Sequence, residues 1–153
     1  MPFNQKFKEA VFEKLLALQS AKLQALGQEI SANRENLSSA TKSSAGDKHE
    51  TGRAMLQLEQ EKLGRSYAEA EKVMQLLLRV PFEKSYNQIK VGSLFQTDLG
   101  LFLLAASFGK ITHGEKELFV LGPSAPLSQI LLGKRPGDEI IWQGKRICLS
   151  AVI

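Results

Sequence analysis

Cysteine is almost missing from this chain of 153 residues. Cys148 stands alone, which excludes an internal disulfide and any cysteine-built metal cluster. A reducing cytoplasm is the expected compartment, and a small buried hydrophobe in the last strand is the expected role of Cys148. Long apolar runs are missing too. The longest, Leu99 to Phe108, is about half of the roughly 20 residues that a spanning helix needs, so no membrane segment is predicted. The N-terminus, Met1-Pro2-Phe3-Asn4-Gln5 followed by charged residues at helical spacing, lacks the apolar core and small-residue cleavage site of an export signal. Histidine is scarce, and His49 and His113 stand apart in polar surroundings, where both are expected to be solvated. No phosphate-binding glycine loop, dinucleotide fingerprint or nucleophile elbow occurs. A strong charge of one sign is also lacking: 20 basic against 16 acidic residues give +4 and a pI near 9.2. That bias is compatible with work near nucleic acid, but does not demonstrate it.

What is present is unevenly distributed. Residues 1–80 hold one proline, Pro2, and are rich in Ala, Leu, Gln, Glu and Lys, all good helix formers. Residues 81–153 hold the other four prolines, the only tryptophan and most of the glycines. Phe12, Leu16, Gln19, Leu23, Leu26, Ile30, Asn33 and Leu37 alternate steps of four and three, and Leu56, Gln60, Leu63, Tyr67, Ala70, Met74 and Leu77 repeat the rhythm. This is the seam of a coiled coil, in which Gln19, Asn33 and Gln60 would fix register. The turn-rich stretch Ser38 to Asp47 separates the two runs. An antiparallel helical hairpin with arms of about 45 Å accounts for both; parallel dimerisation is the rival arrangement.

After Pro81 the period becomes that of strands. Ser93 to Thr97, Leu101 to Ala106, Glu117 to Leu121, Glu139 to Trp142 and Lys145 to Ile153 are short, apolar and bounded by turn signals. Pro126 to Leu132 reads as a short helix capped by Ser124 and ended by Gly133. The expected class is therefore α+β. A long N-terminal antiparallel coiled-coil hairpin spans 1–80, with its tip near 41–52, and a small antiparallel β-sheet domain with one short helix spans 81–153. Phe95, Phe102, Phe119 and Trp142 are the expected core of the sheet domain.

One constellation carries candidate chemistry. In Gly46-Asp47-Lys48-His49-Glu50-Thr51 two carboxylates stand three apart, on one helical face, able to converge on one ion. The same spacing makes a capping box, with Asp47 as N-cap and Glu50 reaching back. The two roles are compatible, because Mg²⁺ takes carboxylate oxygens while keeping several waters. Two carboxylates alone hold it weakly, so the tip would complete a site supplied by a partner. Lys42, Lys48 and Arg53 beside the tip, with Lys62 and Arg65 along the second arm, would attract RNA or acidic protein groups, or form an ordinary solvated face.

A hairpin with Gly-Asp-x-x-Glu at its tip, then Ser124-Ala125-Pro126-Leu127-Ser128-Gln129-Ile130-Leu131-Leu132-Gly133-Lys134 and Gly137-Asp138-Glu139, resembles the Gre family of bacterial transcript-cleavage factors. The resemblance covers nearly the whole chain. It implies an FKBP-like sheet domain that docks on bacterial RNA polymerase at the secondary channel through Ser124, Pro126 and Leu127. It also implies that Asp47 and Glu50 help hold a second Mg²⁺, bound only in the complex, so that polymerase hydrolyses the 3′ end of backtracked nascent RNA. On that reading the chain is a transcription elongation factor and not an enzyme by itself, with at most weak DNA or RNA contact of its own. Gly52, Arg53 and Ala54 stand where the family carries an aromatic residue. That departure keeps a non-cleaving channel regulator of the same fold open, and beyond it a stand-alone coiled-coil adaptor or peptidyl-prolyl isomerase.

Overall fold

The computed structural model describes residues 3–42 and 46–153, and at 41, 42 and 46–50 the backbone alone. Its elements run α1 Gln5–Lys42, α2 Gly46–Arg79, β1 Leu94–Thr97, β2 Gly100–Leu104, β3 Gly109–His113, β4 Lys116–Leu121, α3 Pro126–Leu131, β5 Glu139–Trp142 and β6 Lys145–Val152. Two compact units result: Ala17–Met74, and Met1–Leu16 together with Gln75–Ile153.

The unit Ala17–Met74 is helical throughout its described length, as its lack of proline and wealth of straight-chain residues dictate. Gln19, Leu23, Leu26, Ile30, Asn33 and Leu37 of α1 are buried or half-buried, as are Leu56, Gln60, Leu63, Tyr67, Ala70 and Met74 of α2, while most residues between them are exposed. The polar seam residues are hydrogen-bonded. Gln19 Nε2 donates to the Ala70 carbonyl at 2.7 Å, and Asn33 Nδ2 donates to the Leu56 carbonyl at 2.9 Å and to Gln60 Oε1 at 2.8 Å. From Gln19 to Asn33 is fourteen residues along α1, and from Ala70 to Leu56 is fourteen back along α2.

In the other unit, α1 opens with Asn4 Oδ1 accepting the Phe7 N–H at 2.8 Å, a cap that satisfies one free amide. The segment after Pro81 is bound to the first turns of α1. Phe82 stacks on Phe12 at 4.6 Å, and Gln5 Nε2 donates to the Phe82 carbonyl at 2.8 Å. Lys8, fully buried, donates from Nζ to the Lys84 carbonyl at 2.6 Å and lies 5.1 Å from the Tyr86 ring centroid. Burial pushes its pKa down to about 8, against a smaller upward pull from Glu9. Gly92 closes this corner at φ +101; a Cβ there would lie 2.9 Å from the Pro81 carbonyl oxygen.

The sheet has six strands in the order β3-β4-β2-β1-β6-β5. It is mixed, not antiparallel as expected: β4 runs parallel to β2, with Leu101 beside Leu118 and Leu103 beside Val120. The unexpected strand β3 is the cause. It forms a hairpin with β4 and occupies the outer edge, so β4 enters beside β2 in the same direction. Only Ile111 of β3 is buried, which left no apolar alternation to read.

One face of the sheet holds the core cluster of Ile89, Phe95, Phe102, Leu104, Leu131, Ile140, Ile147 and Leu149, with Trp142 and Leu127 packed against it. Phe95 and Phe102 are buried as expected, but Phe119 is exposed. It stacks at 5.9 Å on Phe102 and pairs with Lys110 of the edge strand, beyond the cluster. Cys148 also departs from expectation. It is half-buried on the face opposite Ile147 and Leu149, because side chains alternate along β6. His113 is half-buried, with its ring edge-on to Phe7 at 5.6 Å. No helix among the described residues is long and apolar enough to cross a membrane.

Candidate functional site

The candidate residues lie in two places, one in each unit. α2 begins at Gly46, so Asp47 lies inside the helix and is not its N-cap as the capping box predicts; Glu50 follows about one turn on, and the N-terminal end of the helix dipole favours ionised carboxylates there. The side chains of Asp47, Glu50, Lys42 and Lys48 lie outside the described residues. Arg53, one turn further on, is exposed. Among the described residues no cluster of three or more His, Cys, Asp or Glu side chains is placed to hold a metal.

The second place is α3 and its flanks. Pro126 sits at the first turn of α3, where its missing N–H leaves nothing unsatisfied. The N-cap is Ala125, with no side-chain capping bond, so Ser124 does not cap the helix as expected. Instead Ser124 and Pro126 are both exposed, whereas Leu127 is half-buried against the core cluster. The segment is held from both ends. Ala125 N–H donates to the Gly122 carbonyl at 3.2 Å, and Gln129 Nε2 to the Pro123 carbonyl at 2.8 Å. Gly133, at φ +82, ends the helix and donates to the Ile89 carbonyl, while Ile89 N–H donates to the Lys134 carbonyl, both at 2.8 Å.

That pair of backbone bonds ties the segment before β1 to the end of α3. Lys134 and Arg135 form no ion pair among the described residues. Ile130 and Leu132 on the same segment are 38% and 39% exposed. The outcome is a corner with Ile130, Leu132 and Arg135 turned to solvent. Ile130 and Leu132 are additions to the residues that the sequence singled out.

Among the described residues the titratable groups with displaced pKa values lie elsewhere. Besides Lys8, burial raises the Tyr86 phenol, with Glu83 adding to the effect, and the phenol donates to the Pro81 carbonyl at 2.9 Å. The Cys148 thiol is also raised, first by desolvation and then by the neighbouring Glu139 and Asp98 carboxylates. Each is held away from its charged form: for Tyr86 and Cys148 that disfavours the nucleophilic anion at neutral pH, while Lys8 is fully buried with its ammonium donating to the Lys84 carbonyl, out of reach of a substrate.

No family model, curated protein or solved structure matches this chain.

Proposed function

We propose that this chain is a transcription elongation factor that binds bacterial RNA polymerase at its secondary channel and stimulates hydrolysis of backtracked RNA. The reading rests on the resemblance of the tip and of Ser124 to Glu139 to the Gre family. The observation that supports it best is a division of labour between two long seamed helices with a carboxylate pair where α2 begins, and a separate sheet unit that exposes Ser124 and Pro126. The matched fourteen-residue steps between Gln19–Ala70 and Asn33–Leu56 support an antiparallel hairpin. In the sheet unit, α3 packed on one face of a six-stranded sheet supports the FKBP-like reading.

The chemistry of the donor set fits a hard cation. Asp47 and Glu50 offer carboxylate oxygens one turn apart, the ligands that Mg²⁺ takes, and the ligands they lack would come from the polymerase. When bound, the ion supplies Lewis-acid activation of a water at the phosphodiester. The factor's own residues then do three things: Asp47 and Glu50 hold charge at the tip, the helical seam carries the tip to the reacting phosphate, and the α3 corner anchors the base. The exposed Ile130 and Leu132, followed in the chain by Lys134 and Arg135, suit an apolar and acidic polymerase surface.

The test is RNA cleavage in stalled elongation complexes with Asp47→Asn, which keeps the size of the side chain but removes its charge and so weakens metal binding. Shortening of the transcript by the native chain, and its loss in the folded variant, is the expected result; undiminished cleavage in the variant removes the metal role. The substitution of the family's aromatic by the Gly52-Arg53-Ala54 stretch favours a second reading, a regulator that occupies the channel without cleavage. Polymerase binding with no RNA shortening at any Mg²⁺ concentration decides for it.

A further inference from the structure

Among the described residues the sheet ends in two unpaired edges, β3 and β5, and they are not alike. On β3, Lys110 stands in the strand and Lys14 Nζ donates to the Thr112 carbonyl, both features that keep another strand away. β5, Glu139-Ile140-Ile141-Trp142, carries no lysine, proline or bulge and is rich in β-branched and aromatic residues that favour strands. The direction of its backbone groups follows from the hairpin. Its turn has two residues, Gln143 at φ +51 and Gly144 at φ +77, the type I′ geometry in which the flanking Trp142 and Lys145 exchange both backbone bonds. Alternation then turns the N–H and C=O of Ile141 and Glu139 away from β6. Cys148, opposite Glu139, agrees: its N–H goes to Asp98 Oδ2 at 3.1 Å and its carbonyl accepts the Asp98 N–H at 3.3 Å. No backbone bond among the described residues reaches the outward groups of β5, and the Ile141 side chain is 71% exposed.

We propose that β5 is the contact between two copies of this chain, paired antiparallel about a two-fold axis at Ile141. With the axis there, Ile141 faces the same residue of the other copy. Two backbone bonds close between them, and β-branched side chains meet directly across the ladder. Every residue keeps its face, so Ile140 lies opposite Trp142 on the side of the core cluster. Charge is complementary too. Asp138 and Glu139 open the strand, and Lys145 and Arg146 follow the turn at its other end, so the acidic end of one copy lies along the basic end of the other. Parallel pairing would set like charges together. Each copy spends its β5 edge on the other, so the assembly closes at two. Strands of four residues bury less than the roughly 1,200 Å² of a stable interface, which makes the dimer weak and dependent on concentration. The contact uses neither α3 nor the start of α2, and does not rest on the proposed polymerase role.

Sedimentation equilibrium of the full chain reads the association. The average mass is expected to rise from 16.9 kDa towards twice that value as concentration approaches about 1 mM, and to go no further. Ile141→Lys is expected to stay monomeric with unchanged circular dichroism, and Ile141→Val to associate like the native chain. Cross-linking in a Cys148→Ser background locates the axis. Ile141→Cys places two thiols on Cα atoms about 5.5 Å apart, within reach of a disulfide, and is expected to oxidise to a covalent dimer about tenfold faster than Phe119→Cys, an exposed position away from the contact. A mass of 16.9 kDa at every concentration, species larger than a dimer, association that survives Ile141→Lys, or cross-linking no faster at 141 than at 119 overturns the proposal.

Discussion

Replacing Lys8 by methionine separates the packing of this side chain from its charge. The side chain is fully buried, its ammonium has the Lys84 carbonyl and the Tyr86 ring as partners, and its pKa is lowered from 10.5 to about 8. At roughly 1.4 kcal/mol per pKa unit, keeping it charged in the fold costs at most about 3 kcal/mol near pH 7. The sign follows from proton counting. Between pH 8 and 10.5 the unfolded chain keeps a proton that the folded chain has lost, so stability rises with pH across that window. By pH 9.5 about 2 kcal/mol of the penalty is relieved. Tyr86 does not interfere below pH 10, because its raised pKa contributes stability that is lost only as pH climbs through the folded value. Lys8→Met removes the titration, and its lost hydrogen bond to Lys84 costs about 1 kcal/mol at every pH. Urea unfolding followed by Trp142 emission, at steps from pH 7 to 9.5, is the assay. The native chain should gain about 2 kcal/mol on the variant over that range. Parallel stability curves for the two proteins would show that the buried ammonium bears no such penalty, and refute the reasoning.

Further outcomes follow from local geometry. Gly64 lies within α2 with nothing within 4 Å of an added Cβ, so Gly64→Ala should stabilise the helices by about 0.5–1 kcal/mol in thermal unfolding. Gly92→Ala, at φ +101 and 2.9 Å from the Pro81 carbonyl oxygen, should destabilise by more than about 1 kcal/mol in the same assay. Cys148, its thiol raised by desolvation and by Glu139 and Asp98, should react with iodoacetamide more slowly at pH 8 than an unhindered cysteine thiol. Glu139→Gln should speed that reaction by removing a carboxylate 3.5 Å from the sulfur.

The helical seam was legible because its signal is local. The four-three spacing of Gln19 to Leu37 and of Leu56 to Met74 reappears as the less exposed stripe of each helix. Strands β1, β2, β4, β5 and β6 were legible for the same reason, being apolar runs bounded by turns. β3 was not, because Gly109-Lys110-Ile111-Thr112-His113 buries one residue. Losing that strand also hid the parallel β2–β4 pair.

The near absence of cysteine, of long apolar runs and of nucleotide-binding motifs bounded the class of protein from the sequence alone. Periodicity then set where helices and strands lie, since both depend on neighbours within a few residues. Tertiary structure decided what depends on distant partners. It paired Ile89 with Gly133 and Lys134, turned Leu127 onto the core while Ser124 and Pro126 stayed exposed, and left Phe119 outside the cluster that buries Phe102. It buried Lys8 as well. Nothing in the first turn of α1 marks that lysine for burial; the Lys84 carbonyl and Tyr86 ring that receive it arrive more than seventy residues later.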